Sequence, residues 1–171
     1  MSYNVEIKIF GTVSDPEAIR DLVEAVSEES SLGAGDGVGE SAFLDMLRNA
    51  AETGSPVTLS KEGYDDVFES VTNACAEAGL SYVQTIGEDF PTDGVAWNPG
   101  MEAEASFLIN DGKPVLGLDE IRKAARKGLD EVNSLIDTVA AVTRIGAITI
   151  DPGFFEAYQA MADEDKASFR A

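Results

Sequence analysis

Residues 3–29 read YNVEIKIFGTVSDPEAIRDLVEAVSEE, and two different periods meet inside them. From Tyr3 to Phe10, Tyr3, Val5, Ile7 and Ile9 alternate with Asn4, Glu6 and Lys8, the period-2 signature of a half-buried strand. Gly11 to Ser14 turns the chain. From Asp15 to Glu29 the period changes to that of a helix: at roughly 100° per residue, Ile19, Leu22, Val23 and Val26 share one side. Ser14 and Glu17 have capping-box spacing, and Pro16 suits a first helical turn. A strand feeding a helix through a short turn predicts a layered α/β or α+β architecture.

The second face of that helix is unusual. Glu17, Asp21, Glu24 and Glu28 follow one another at steps of 4, 3 and 4, which reads as a stripe of carboxylates free of Lys and Arg. Neighbouring carboxylates at these steps cost roughly 0.2–0.5 kcal/mol per pair. Glu28 and Glu29 also sit at the negative end of the helix dipole. A related pattern recurs at Glu62, Asp66, Glu69, Asn73 and Glu77, outside a predicted helix over 64–78 whose inward positions are Tyr64, Val67, Phe68, Val71 and Cys75. The two segments share few identities, so they do not amount to an internal duplication.

Working outward, Ser30 to Gly39 (SSLGAGDGVG) carries four glycines and reads as a flexible loop. It lacks both GxGxxG and GxxxxGK[ST] spacing and follows a helix, whereas phosphate loops follow a strand. Phe43, Met46, Leu47 and Ala50 predict a helix over 41–51, and Val57 to Leu59 a short strand. Leu80 to Ile86 reads as another strand. Gly87 to Gly100 reads as a loop bearing Phe90 and Trp97, two rings that either recognise a partner or fold back on the core. Asn110-Asp111-Gly112 between apolar runs predicts a β-hairpin near 104–116. Leu118 to Val142 reads as one helix or two abutting at Gly128, with Leu118, Ile121 and Ala125, then Leu129, Val132, Ile136 and Val139, along its apolar face. Ile145 to Ile150 closes the strands, a helix follows Asp151-Pro152, and residues 163–171 are expected to fray. The whole predicts a single globular domain over 1–171, with a small mixed sheet of about five or six strands and amphipathic helices packed on it.

Composition narrows the chemistry. The chain has 171 residues, 32 acidic and 12 basic, for a net charge of −20. Solubility of a small domain needs a net charge of only about 2–8 in magnitude, and this excess repels nucleic acid and anionic membranes, so a charged partner is expected to be cationic. There is no histidine, which excludes Ser-His-Asp and Cys-His nucleophiles. One cysteine, Cys75, excludes an internal disulfide and a cysteine-based zinc site. It falls on an apolar helix face, where an inert thiol is expected. Asp65-Asp66 with Glu69, Glu88-Asp89 with Asp93, and Asp163-Glu164-Asp165 are carboxylate clusters, and none has calcium-loop spacing. No metal and no cofactor is therefore expected. With no basic leader and no long apolar run, the chain reads as cytoplasmic.

Basic charge is gathered in one place. Arg122, Lys123, Arg126 and Lys127 lie together with Lys113 nearby, against only Asp119 and Glu120. In so acidic a chain this cluster reads as a counterpart to the chain's own acids, within one molecule or between copies of a homo-oligomer.

The acidic faces admit three explanations: a surface for a basic partner, salt adaptation, or plain solvated charge. Equal Lys and Arg, six each, and ten isoleucines do not fit strong salt adaptation. The sequence expectation is a non-catalytic acidic protein binding a basic protein surface through Glu17, Asp21, Glu24, Glu28, Glu62, Asp66, Glu69 and Glu77. One form of this is a nucleic-acid mimic that occupies a nucleic-acid-binding protein, as phage and plasmid anti-restriction and anti-CRISPR inhibitors do. The alternatives are an assembly component with a merely solvated acidic surface, or a small carboxylate- or divalent-metal-dependent enzyme.

Overall fold

A computed structural model describes residues 3–31, 38–63, 68–86, 92–102, 104–110 and 113–168 of the chain. In order they form β1 (Tyr3–Val13), α1 (Pro16–Ser31), α2 (Glu40–Thr53), β2 (Val57–Gly63), α3 (Glu69–Glu77), β3 (Ser81–Ile86), β4 (Thr92–Trp97), β5 (Ala105–Asn110), β6 (Lys113–Val115), α4 (Leu118–Lys127), α5 (Leu129–Val142), β7 (Ile148–Ile150) and α6 (Phe154–Ser168). The fold is mixed α/β, with seven strands among the described residues, one or two more than the sequence implied.

The backbone packs as two compact units. One comprises Met1–Ile9, Thr58–Val67 and Ser81–Ile145; the other comprises Phe10–Val57, Phe68–Leu80 and Gly146–Ala171. The first holds the strand order β2-β1-β3-β4-β5-β6. Its later strands form an antiparallel meander, pairing Tyr82 with Trp97, Gly94 with Phe107 and Leu108 with Val115. The expected hairpin is there: Asn110 pairs with Lys113, and the two turn residues between them lie outside the described residues. The period-2 face of β1 is also as expected, with Val5, Ile7 and Ile9 fully buried.

The sequence reads 87–100 as a loop, and the structure corrects this: β4 occupies Thr92–Trp97. The reason is local. Asp93 and Gly94 weaken strand propensity, but β4 is hydrogen-bonded on both sides, to β3 and to β5. Gly94 is the opposite partner of Phe107, and a Cβ there would stand 2.7 Å from the Phe107 ring. The glycine that looks like a loop signal is the space that ring occupies.

In the second unit, β7 runs parallel to the last residues of β1, Gly11 opposite Ile148 and Val13 opposite Ile150. Four helices, α1, α2, α3 and α6, belong to it, and α1 packs against the other three. As its spacing predicts, α1 buries Ile19, Leu22, Val23 and Val26. Each such burial contributes about 1.5–3 kcal/mol, several times the cost of a like-charge pair. That is why an acidic helix forms here at all. Its cap differs from expectation: Asp15, not Ser14, accepts the Glu17 N–H at Oδ1 (3.0 Å). Asp15 directly precedes the first helical residue, which puts its short side chain within reach of that amide.

Fraying was expected from residue 163, yet α6 continues to Ser168. The Arg20 guanidinium ties Asp165 to α1 at 3.1 Å. Arg48 of α2 lies 4.1 Å over the Phe155 ring and pairs with Asp45 at 2.8 Å. Among the described residues no helix is long and apolar enough to cross a membrane.

Candidate acidic interface

On α1, Glu17, Asp21, Glu24 and Glu28 are all exposed, so helical periodicity carried them outward as expected. The stripe is not free of cations. Arg20 lies between Glu17 and Asp21 in space as well as in sequence, 3.5 Å from Glu17 and 3.9 Å from Asp21, while also holding Asp165. One residue after Ile19, its long arm reaches sideways across the helix surface. The end of α1 meets the start of α3, where Ser70 Oγ donates to Glu29 Oε1 at 3.2 Å.

The second expected stripe does not form one helical face. Glu62 is exposed near the end of β2, in the other compact unit, and Asp66 lies outside the described residues. Only Glu69, Asn73 and Glu77 share α3, exposed at successive steps of 4. Phe68 sets the break. It stands at φ 71°, a left-handed conformation that a helix cannot run through. It is buried all the same, and its carbonyl receives the Thr72 N–H at 2.8 Å. The candidate interface therefore comprises Glu17, Asp21, Glu24 and Glu28 with Glu69 and Glu77, all in one unit. By sequence that unit has 17 acidic and 4 basic residues, a net −13, against 15 and 8, a net −7, in the other. Nearly two thirds of the excess charge is on the side of α1.

Beside α1 lies a groove of about 570 Å³. Val23, Met161 and Ala162 supply its apolar part, Glu24, Glu40 and Asp165 supply carboxylates, and Arg20 and Lys166 supply cations, Arg20 being the one that holds Asp165. Tyr158 lines it too, its hydroxyl donating to Glu40 Oε1 at 3.1 Å. Burial, reinforced by that bond, pushes the Tyr158 hydroxyl up to about 12, so it stays a neutral donor at physiological pH. Glu40 and Tyr158 escaped sequence reasoning. They are 118 residues apart, and no local pattern links them.

The remaining candidates lie elsewhere. Trp97 is half-buried in β4, its ring stacked on Tyr82 with centroids 6.3 Å apart; Tyr82 in turn donates its hydroxyl to Glu104. Trp97 is thus part of the meander, on a strand and not on a loop. Phe90 lies outside the described residues. Cys75 is fully buried, and burial raises its thiol far above the ordinary range, so it carries no thiolate. No three His, Cys, Asp or Glu side chains among the described residues gather into a metal-holding group.

Arg122, Lys123, Arg126 and Lys127 are exposed on α4. Arg122 pairs with Asp119 at 3.4 Å and Lys127 with Glu131 at 2.8 Å, an interaction that raises the Lys127 amine above its usual range. Lys123 and Arg126 have no ion-pair partner among the described residues. The inward residue of α4 is Ala124, not Ala125. Leu118, Leu129 and Ile136, expected along an apolar face, are 63%, 73% and 48% exposed. Gly128, at φ 135°, ends α4 and starts α5, so the two helices are separate and their faces are set independently. No family model, no curated protein and no solved structure matches this chain.

Proposed function

We propose that this is a non-catalytic cytoplasmic protein that binds a basic protein surface through the exposed face of α1, extended by Glu69 and Glu77 of α3. One observation carries the reading: the compact unit that presents these carboxylates holds 17 acidic and 4 basic residues. Its α1 keeps four acids exposed at a cost in helix stability that solubility does not require. In its narrower form the partner is a nucleic-acid-binding protein. Carboxylates three or four residues apart on a helix lie about 5–6 Å from one another and are held rigidly by the buried face behind them, so they can stand where a phosphate backbone would lie.

The test uses a labelled arginine-rich peptide as the basic probe. Asp21→Lys, Glu24→Lys and Glu28→Lys together should weaken binding by about tenfold or more. Asp130→Lys, Glu131→Lys and Asp137→Lys, an equal change of net charge placed on α5, should weaken it far less. Wild-type binding should fall steeply with added salt, because exposed charges are screened within about 8 Å at physiological ionic strength. Equal losses from the two triple variants would reduce the α1 stripe to bulk charge and end the proposal.

A further inference from the structure

The uncovered side of α5 is the second surface that calls for a partner. We infer that two copies of the chain pair weakly through α5, antiparallel, about a two-fold axis between Ser134 and Leu135. None of the α1 or α3 carboxylates takes part, so the inference goes beyond the reading above and does not rest on it.

Helix α5 packs on α4 and β5. Its Glu131 and Leu135 line a cleft with Lys123 and Lys127 of α4, and Val132, Leu135 and Val139 are half-buried. At roughly 100° per residue, Leu129, Asn133, Ile136 and Ala140 fall within about 60° of one another, on the side turned away from that cleft. All four are exposed, Leu129 by 73% and Ile136 by 48%. None is charged, although the chain carries 32 acidic and 12 basic residues. The acids of α5, Asp130, Glu131 and Asp137, all lie outside this stripe.

Spacing and size select a second copy over an unrelated helix. The steps of the stripe are 4, 3 and 4, the same from either end, so an antiparallel copy meets it in register. A two-fold interface requires this self-complementarity. Leu129 then lies level with Ala140 of the second copy, and Ile136 with its Asn133. Each layer sets a larger side chain against a smaller one, the arrangement in which facing helices interdigitate. A parallel copy would set Leu129 on Leu129 and Ala140 on Ala140, overfilling one layer and leaving a void in the other. Charge opposes the contact. Asp130 and Asp137 share one flank of α5, and in the antiparallel pair Asp130 of each copy stands two residues, about 3 Å of helix rise, from the level of Asp137 of the other. A 14-residue helix is about 21 Å long, and one such pair buries less than a standard interface of about 1,200–2,000 Å². The dimer therefore forms only near about 0.1–1 mM chain.

Sedimentation equilibrium on the full chain, at up to about 1 mM, tests this. The average mass should exceed that of the 18.1 kDa chain and rise further between about 50 and about 500 mM salt, as the flanking acids are screened. That salt dependence is opposite to the one expected for peptide binding at α1, so the two readings fail separately. Leu129→Asp with Ile136→Asp should hold the single-chain mass, with circular dichroism matching wild type. Leu129→Ala should weaken the dimer by about tenfold or more. Leu129→Ala with Ala140→Leu exchanges the two sides of one layer and should restore it. Asp137→Lys puts a cation beside Asp130 of the other copy and should tighten the dimer about threefold or more in low salt. Glu52→Lys, the same change of net charge on α2, should alter it by less than about twofold. Wild type at single-chain mass under all conditions overturns the inference. So does an exchange variant no stronger than Leu129→Ala, which would remove the antiparallel register, and so do equal effects of Asp137→Lys and Glu52→Lys, which would reduce the flank to net charge.

Discussion

Helices α1 and α4 are both amphipathic, carry opposite excess charge, and are held in place by different means. Helix α1 buries Ile19, Leu22, Val23 and Val26, each 5% exposed or less, and packs on three other helices. Helix α4 has one buried residue, Ala124, while Leu118 in its first turn is 63% exposed. The difference teaches that surface charge is cheap where a helix is anchored by its core face. On α1 the like-charge cost is a few tenths of a kcal/mol per pair against about 1.5–3 kcal/mol per buried side chain. On α4, helix ends and ion pairs matter more in proportion, and an uncovered apolar residue is available to a partner.

The comparison breaks most sharply at one leucine in each helix. Leu22→Ala should destabilise the chain by about 2–5 kcal/mol, whereas Leu118→Ala should change stability by no more than about 0.5 kcal/mol, both read from urea unfolding midpoints. Comparable losses would mean that α4 is anchored as α1 is. Helix starts come next. Asp15→Ala removes the α1 cap and should cost about 0.5–2 kcal/mol. On α4 it is Glu120 that reaches back to the Gly117 N–H at 3.2 Å, and Glu120→Ala should leave global unfolding nearly unchanged while lowering helicity slightly by circular dichroism.

Smaller still are the arginines. Arg20→Gln removes three exposed ion-pair contacts at once and should cost up to about 1 kcal/mol. Arg122→Gln removes one and should fall within error; a larger effect there would show a role for α4 that its exposure does not suggest. The least visible effect at neutral pH concerns Tyr158, which flanks α1. Its hydroxyl is raised from the ordinary 10.0 to about 12, so the folded chain holds this proton more tightly than the unfolded chain. That contribution is complete below pH 10 and is lost as pH rises from 10 toward 12. Tyr158→Phe should flatten the decline in stability over that window, read from urea unfolding midpoints between about pH 9 and pH 12.

Elements whose periods are set by burial were legible in the sequence. The faces of β1 and α1, the buried residues of α2 and the hairpin near Asn110 all follow from local patterning. What escaped is set by partners distant in sequence. Strand β4 depends on two neighbours and on the Phe107 ring above Gly94. The second acidic stripe fails at Phe68, because spacing alone assumes unbroken helical backbone. Arg20 is adjacent to the acids in the sequence, but its reach to Asp165 is 145 residues long. The candidate interface was therefore half legible: its α1 acids were identified, while the Glu40–Tyr158 pair and the groove beside them were not.

The parallel pairing of Gly11–Val13 with Ile148–Ile150 has a consequence for how the chain is made. The β3–β6 meander closes through neighbours in the sequence and can assemble as soon as residue 115 has left the ribosome. The unit bearing the acidic face waits some 137 residues for its last strand, and loop closure of that length comes late. Until α6 is made, α1 has only α2 and α3 of its three packing partners, so its hydrophobic side is incompletely covered while its carboxylates are already in solvent. The like charges that weaken the finished helix then repel other nascent copies, at the stage when an uncovered apolar face is most prone to aggregate.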